Sequence, residues 1–403
     1  MSLTLLFDLD DTLLDTNMDA FIPAYFQALG RHIEKRVAPE LMLRALVHGM
    51  NQMNESNDPT RTLQDVFETV FYAKLGVPKA DLSDALEDFY DNVFPAIGMH
   101  TQQRPDAVPL IEWAFSKGYR IAIATDPLFP RKSTYARLRW AGLDPEQFEL
   151  VSTFENFHFT KTHPAYYAEV LGQLGWPDGP VLMVGNDVQR DLVTAHQLGL
   201  KTYFIDGEAG SSPGPFDAAQ DKLEAGRGKL GDLRPWLESI DIATLEPSYK
   251  SKEAIMAIMS ATPAVLQSLS CALSAESWRH EPTRDDWAMN EIICHLRDTE
   301  NEIHALQLDL MLERPDAFIP RPDTSVWASE REYLNVDGTL ALAEFASARL
   351  MNLDKLRKLD DEFWARKVRH AIFGPTNFLE VMGFVADHDQ MHIQQAWNTL
   401  RNL

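Results

Sequence analysis

The sequence predicts an α/β domain built on a parallel sheet, with a helical segment inserted after its first strand, followed by an all-α domain. Three observations carry this. A short apolar run at residues 3–7 (LTLLF) ends at an acidic turn. Between about 101 and 205, strand-like runs alternate with helix-like stretches. From 251 onward, apolar residues recur three and four apart and no strand alternation returns. Strands alternating with helices indicate a parallel sheet, and sustained helical periodicity indicates packed helices.

Taken in order, LTLLF reads as a buried strand running into a loop. From 17 to 100 four amphipathic stretches follow: AFIPAYFQALGRHI, PELMLRALVHGM, TLQDVFETVFYAKL and LSDALEDFYDNVF. Pro39, Pro59 and Pro78 punctuate them. Then come VPLIEWAFSKG as helix, YRIAIAT as strand, STYARLRWAG as helix, FELVSTF as strand and PAYYAEVLGQLG as helix. GPVLMVG (strand), RDLVTAHQLG (helix) and KTYFI (strand) complete the alternation. Residues 207–232 are rich in Gly, Pro and Ser and read as a loop, with LRPWLES as a last helix. The domains are expected at 1–245, comprising a core of 1–16 and 101–245 and an insertion of 17–100, and at 251–403.

A length of 403 residues suits two or three domains, and 45% hydrophobic with 24% charged residues is ordinary globular composition. Lys and Arg number 37 against 60 Asp and Glu, a net charge of −23. So acidic a chain repels phosphate backbones, which argues against a nucleic-acid partner. Two cysteines, Cys271 and Cys294, cannot frame a disulfide scaffold. No apolar run approaches the roughly 20 residues of a membrane span, and the N-terminus lacks a signal peptide's basic region. The expected compartment is cytoplasmic, with no membrane partner.

Asp8-Leu9-Asp10-Asp11-Thr12 sits at the carboxyl end of the first strand, the edge at which open α/β sheets bind ligands. Two carboxylates one residue apart can face one point, one attacking phosphorus and the other handling a proton. Thr125 follows a second strand, Lys161 a third, and Gly185-Asn186-Asp187-Val188-Gln189-Arg190-Asp191 a fourth. Nucleophile-type acids, a hydroxyl, an ammonium and a second acidic pair thus follow separate strands in order. Phosphoryl transfer needs these groups, because its transition state spreads charge over oxygens that want a cation and donors. Several carboxylates in one place also suit Mg²⁺, which takes hard oxygen ligands.

These four motifs resemble the haloacid-dehalogenase-like hydrolase superfamily over about residues 1–240. The resemblance implies a Rossmann-like sheet and a Mg²⁺-dependent phosphatase of a small phosphorylated metabolite. Asp8 would be the nucleophile that forms an aspartyl-phosphate, Asp10 the general acid/base, and Thr125 and Lys161 the groups that hold the phosphoryl. Asp8, the Asp10 backbone carbonyl and acids of the fourth motif, Asp187 and Asp191, would bind Mg²⁺. The fourth motif reads Gly-Asn-Asp where the family commonly has Gly-Asp, so either Asn186 or Asp187 could fill its first acidic place; Asp187 is favoured. Thr162 stands where the third motif usually has Pro. Metal-free dehalogenases of the family lack the acid two residues after the nucleophile, so Asp10 favours a phosphatase. By its position the insertion 17–100 resembles a mobile helical cap over the site. Tyr25, Phe26 and His32 within it read as core or surface rather than substrate contacts.

His388 and His392, four residues apart in ADHDQMHIQQ, share one helical face, a spacing that suits two imidazoles on one metal. His295 lies on an apolar face with Trp287 and Leu296. Three such histidines on two helices are better explained by a shared ion than by core packing. Residues 251–403 resemble the DinB-like four-helix-bundle superfamily through Trp287, Glu291, His295-Leu296-x-Asp298-x-Glu300, Phe373-Gly374-Pro375-Thr376 and His388-Asp389-x-x-His392-x-x-Gln395. The resemblance implies a divalent transition metal on His295, His388 and His392; imidazoles suit Zn, Ni or Fe. Some relatives are S-transferases that activate a low-molecular-weight thiol, and such bundles often pair, so a thiol partner and a homodimer are alternative expectations. His304, nine residues past His295, is expected to point elsewhere, and His280 and His370 to lie at the surface. Cys294, about 100° round the helix from His295, is not expected to be a ligand.

Overall fold

The first strand, β1 (Thr4–Phe7), is buried along its whole length in this computed structural model, which describes residues 2–206, 223–283 and 286–402. Five strands run parallel with it: β2 (Arg120–Ile123), β3 (Leu150–Val151), β4 (Val181–Gly185), β5 (Lys201–Ile205) and β6 (Glu224–Gly228). Their spatial order is β3-β2-β1-β4-β5-β6. Phe7 registers with Ile123 on one side and Val184 on the other. Burial on both faces explains why β1 and β4 are unbroken apolar runs rather than alternating ones. The chain winds outward from β1 to β3, then returns to β4 beside β1. In such sheets the ligand crevice opens beyond the carboxyl ends at this reversal.

The predicted loop over 207–232 differs at its end. Glu224–Gly228 is a strand, paired parallel with β5, while residues 207–222 lie outside the described residues. Glycines hid it: Gly226 lies against Trp236, and a Cβ there would come 2.4 Å from the indole ring.

The insertion consists of α1 (Met18–Ile33), α2 (Pro39–Glu55), α3 (Leu63–Leu75) and α4 (Ala80–Asp88). Asn17 caps α1, and a Thr62/Asp65 capping box opens α3. Gly76, at φ 67°, closes α3 in the left-handed conformation that glycine adopts without a Cβ clash. Phe21, Tyr25, Leu29, Phe71, Phe89 and Phe94 form its own core. Both ends pass through a two-stranded antiparallel neck, Leu14–Thr16 against Thr101–Gln103.

The helical domain has four long helices: α5 (Lys252–Ser270), α6 (Met289–Thr299), α7 (Gly338–Leu356) and α8 (Phe378–Arg401). α6 runs on through one wide π-turn, Glu300–His304, into a further helix, Ala305–Glu313. A small sheet of Phe318–Ile319, Lys367–His370 and Gly374–Asn377, which the helical periodicity did not foretell, lies beside them in the sequence of elements. By their contacts the residues form two compact units. One holds Met1–His163, Asp178–His196 and Leu200–Pro247; the other holds Pro164–Pro177, Gln197–Gly199 and Ser248–Leu403. No described helix is long and apolar enough to cross a membrane.

Candidate functional site

Asp8 follows β1 directly, its N–H donating to the Val184 carbonyl of β4 at 2.9 Å. Its carboxylate is thereby fixed at the reversal of the sheet, on the floor of a cavity of about 500 Å³. Lys161 Nζ donates to Asp8 Oδ1 at 2.6 Å and to Asp191 Oδ1 at 2.7 Å. All three side chains are nearly sealed from solvent. Burial pushes the Asp8 carboxyl up; Lys161 opposes this and Asp191 adds to it, leaving Asp8 raised to about 7. Thr125, behind β2, is buried and lines the same cavity, its carbonyl accepting from Ser152 Oγ at 2.6 Å.

Asp10 is held apart from that pair. Thr16 Oγ1 donates to its Oδ1 at 2.9 Å, and the buried Arg137 guanidinium is bound to its Oδ2. Between them the turn passes through Asp11 at φ 58°, a conformation Asp tolerates better than most residues. Asp11 Oδ1 accepts from Thr16 N at 2.9 Å and locks the turn.

In the fourth motif, Asp191 Oδ2 accepts from Asn186 N and Asp187 N, both at 3.0 Å. A Cβ on Gly185 would fall 2.2 Å from that oxygen, so only glycine lets the carboxylate lie under the strand end. Asp187 Oδ1 accepts from Gln189 N and Arg190 N at 2.9 Å, acting as a helix cap. Asn186 Oδ1 accepts from Thr12 Oγ1 at 3.0 Å. The structure thus joins Asp8, Lys161 and Asp191, turns Asp10 to Thr16 and Arg137, and engages Asp187 with the helix that follows it; all five line one cavity with Thr125.

Three further residues lining it were not singled out from the sequence. Arg137 reaches Asp10 from 127 residues away, Arg190 pairs with Asp126 at 3.2 Å, and Asp126 Oδ1 accepts from Lys161 N at 3.2 Å. Burial raises the Asp126 carboxyl, against the pull of Arg190. The cap closes the cavity with Met50, Asn51 and Asn54 of α2. The Asn54 carbonyl accepts from His163 Nε2 at 2.9 Å, tying the loop after Lys161 to the cap.

In the helical domain, His388 Nε2 lies 3.2 Å from both His295 Nε2 and His392 Nε2. Among the described residues these three form a group whose ligand atoms all fall within 4.8 Å. Imidazoles about 2.0–2.1 Å from a tetrahedral ion would stand roughly 3.3 Å apart, so the spacing fits one. One proton cannot serve both contacts of His388, and burial lowers all three imidazoles, His295 to about 3, each further influenced by its neighbours. Burial thus favours their neutral form, the form that binds metals. His392 Nδ1 donates to Gln395 Oε1 at 2.9 Å, which leaves its Nε2 as the ligand atom. The Trp287 ring stacks on His392 with centroids 5.9 Å apart.

Two histidines lie elsewhere than expected. The His304 ring is 5.4 Å from that of His388. Nine residues of α-helix would turn His304 roughly 180° from His295, but the π-turn absorbs one residue and leaves it about 80° away. Its Nδ1 donates to Glu300 Oε2 at 3.1 Å. His370 is buried rather than superficial, its ring stacked on Phe373 at 5.0 Å. With His304 and His388 it lines a cavity of about 370 Å³. Beneath the cluster lies a fully buried ionic network. Arg349 Nη2 donates to Glu300 Oε2 at 2.9 Å and Asp389 Oδ1 at 3.0 Å, Asn352 to Glu300 Oε1 at 2.8 Å, and Thr262 to Asp389 Oδ2 at 2.9 Å.

The pyrophosphatase PpaX of Anoxybacillus flavithermus is 26% identical over 199 residues, 49% of this chain and 81% of that protein. PpaX of Bacillus cereus is 25% identical over 202 residues, 50% and 82%. Among solved structures, YfiT of Bacillus subtilis, a four-helix bundle of unusual topology, matches with a TM-score of 0.35 and 18% identity, over 38% of this chain and 88% of that one. Residues 3–199 match the haloacid dehalogenase-like hydrolases and residues 258–396 the DinB superfamily, so a hydrolase-like segment of the first kind is followed in this chain by a DinB-like one.

Proposed function

We propose that the first domain is a Mg²⁺-dependent phosphatase of a small phosphate ester that works through an aspartyl-phosphate on Asp8. The observation that carries this is the buried Asp8–Lys161–Asp191 group at the sheet reversal. The PpaX relatives, named as pyrophosphatases, point to phosphorus chemistry as well. Two buried carboxylates sharing one ammonium form an oxygen-rich, under-neutralised donor set, which suits Mg²⁺. Asp8, the Asp10 carbonyl and Asp191 would hold it, with Asp187 lining the same cavity; when bound it would neutralise phosphoryl oxygens.

Asp8 Oδ attacks phosphorus, the bond to the leaving oxygen breaks, and Asp10 gives that oxygen its proton. Water then attacks the aspartyl-phosphate, Asp10 takes its proton, and Asp8 is released. Thr16 and Arg137 keep Asp10 in place for both transfers. Lys161 holds the phosphoryl charge, and the cap excludes water. The test is phosphate release from a panel of phosphoesters and pyrophosphate: release is expected with Mg²⁺ and none after chelation. Turnover that survives chelation would refute the metal requirement.

As a second reading we propose metal-dependent chemistry on a low-molecular-weight thiol in the DinB domain, of which the converging histidine nitrogens support the metal. The purified chain is expected to hold about one Zn, Ni or Fe ion on these three imidazoles. His388→Ala is expected to lose nearly all of it by elemental analysis; an unchanged content would refute the site.

A further inference from the structure

We propose that the ester's alcohol is apolar, and that its body lies in a second cavity inside the cap; this rests on the phosphatase reading above. The cavity, about 230 Å³, is walled by α1 to α4 and by the loop after Thr125. Phe26, Met50, Leu128 and Phe129 line both it and the cavity over Asp8. The two cavities thus adjoin at these four side chains, and in this proposal a group attached to phosphorus at Asp8 extends past them into the second cavity. Phe26, expected from sequence to be core or surface, forms part of that passage.

The chemistry of the wall selects what enters. Leu46, Phe67, Phe71 and Leu86 supply apolar surface, and Phe67 and Leu86 are only half-buried although they face other apolar groups. Apart from the Tyr72 hydroxyl, the polar groups around them are largely matched to one another. The Tyr25 and Tyr90 hydroxyls bond at 2.8 Å. Lys79 is held by both oxygens of Glu68 at 2.7 and 2.8 Å, with Gln64 on the same carboxylate at 2.9 Å. Lys132 is bound by Glu87 and, at 2.6 Å, by Asp91. Glu155 accepts from Arg131 N at 2.8 and 3.0 Å. A second phosphate would meet only lysines already paired with carboxylates, and sugar hydroxyls would find few partners, the Tyr72 hydroxyl among them, for the water they lose. An alkyl or aromatic body loses nothing and gains the burial of its surface. The substrate class is therefore a phosphate monoester of an apolar alcohol, and not pyrophosphate or a sugar phosphate.

The test is a ladder of n-alkyl phosphates from propyl to octyl, whose alcohols leave with similar acidity, assayed beside glycerol phosphate and pyrophosphate with Mg²⁺. In the wild-type chain kcat/KM is expected to rise about three- to fourfold per methylene until the cavity fills. Leu86→Trp, and independently Ser83→Phe, should fill the cavity and bring the octyl-to-propyl ratio towards one. Equal rates for propyl and octyl phosphate, or a slope that survives both fillers, would overturn the inference and leave the phosphatase standing. Release from none of these compounds would overturn the phosphatase reading itself.

Discussion

Asp8→Asn is expected to abolish phosphate release, with a fall on the order of 10⁴-fold or more, as removal of a covalent nucleophile brings elsewhere. Its thermal stability is expected to hold or rise. Asn is nearly isosteric and its carbonyl still accepts from Lys161, so the hydrogen bond at 2.6 Å keeps a partner. What disappears is a charge whose burial raises it to about 7 and which faces Asp191 across one ammonium. With the folded value raised above that of the unfolded chain, ionisation of Asp8 favours unfolding: its protonated form adds stability that is lost as pH climbs from about 4 to about 7. Neutral Asn escapes that loss. Activity and stability should therefore move in opposite directions, as at sites where function is bought with strain. A variant that loses activity and melts lower would mark Asp8 as structural. Melting temperature and phosphate release on one preparation decide between the two.

Arg349→Leu is expected to have the largest effect on stability, destabilising the helical domain by about 3–5 kcal/mol. The guanidinium is fully buried between Glu300 and Asp389, themselves fully buried. Without it two carboxylates stay in the interior uncompensated. Burial by itself would push Glu300 up; Arg349 and the His304 contact hold it well below the usual carboxylate range instead. The stability this gives is present above the unfolded value near 4.5 and is lost as pH falls through the lower folded value. The variant should therefore lose stability at neutral pH, and the deficit relative to wild type should shrink in acid. Adding Glu300→Gln and Asp389→Asn should recover part of the loss, because the three residues act as a unit. A melting temperature unchanged by Arg349→Leu would show the network to be dispensable.

The strands of the first domain were legible because each is a continuous apolar run, and DxDxT, Thr125, Lys161 and the fourth motif were legible because each follows one of them. The partners that set their chemistry were not. Arg137 lies in a helix whose charged residues look like a solvated face, and only the tertiary fold brings it to Asp10. The cap formed by Asp187 is a matter of where one helix begins, which a string of letters leaves open by a residue. In the helical domain, periodicity found His295, His388 and His392 because they obey the α-helical repeat. It missed His304 because one π-turn breaks that repeat, and His370 because a short strand amid helices leaves no period to count. Arg349 carried no pattern at all: its importance lies in two carboxylates distant in sequence.

The neck formed by Leu14–Thr16 and Thr101–Gln103 has an evolutionary consequence. Both crossings between cap and core stand side by side, three residues on each strand, and everything between them can be exchanged as a cassette. Asp8, Thr125, Lys161 and Asp191 all lie outside it. A lineage can thus keep the proposed phosphoryl site intact while the cassette drifts, lengthens or is replaced, and if that proposal holds, a chimera that joins this core to another cap at Thr16 and Thr101 should draw its substrate range largely from the cap's donor.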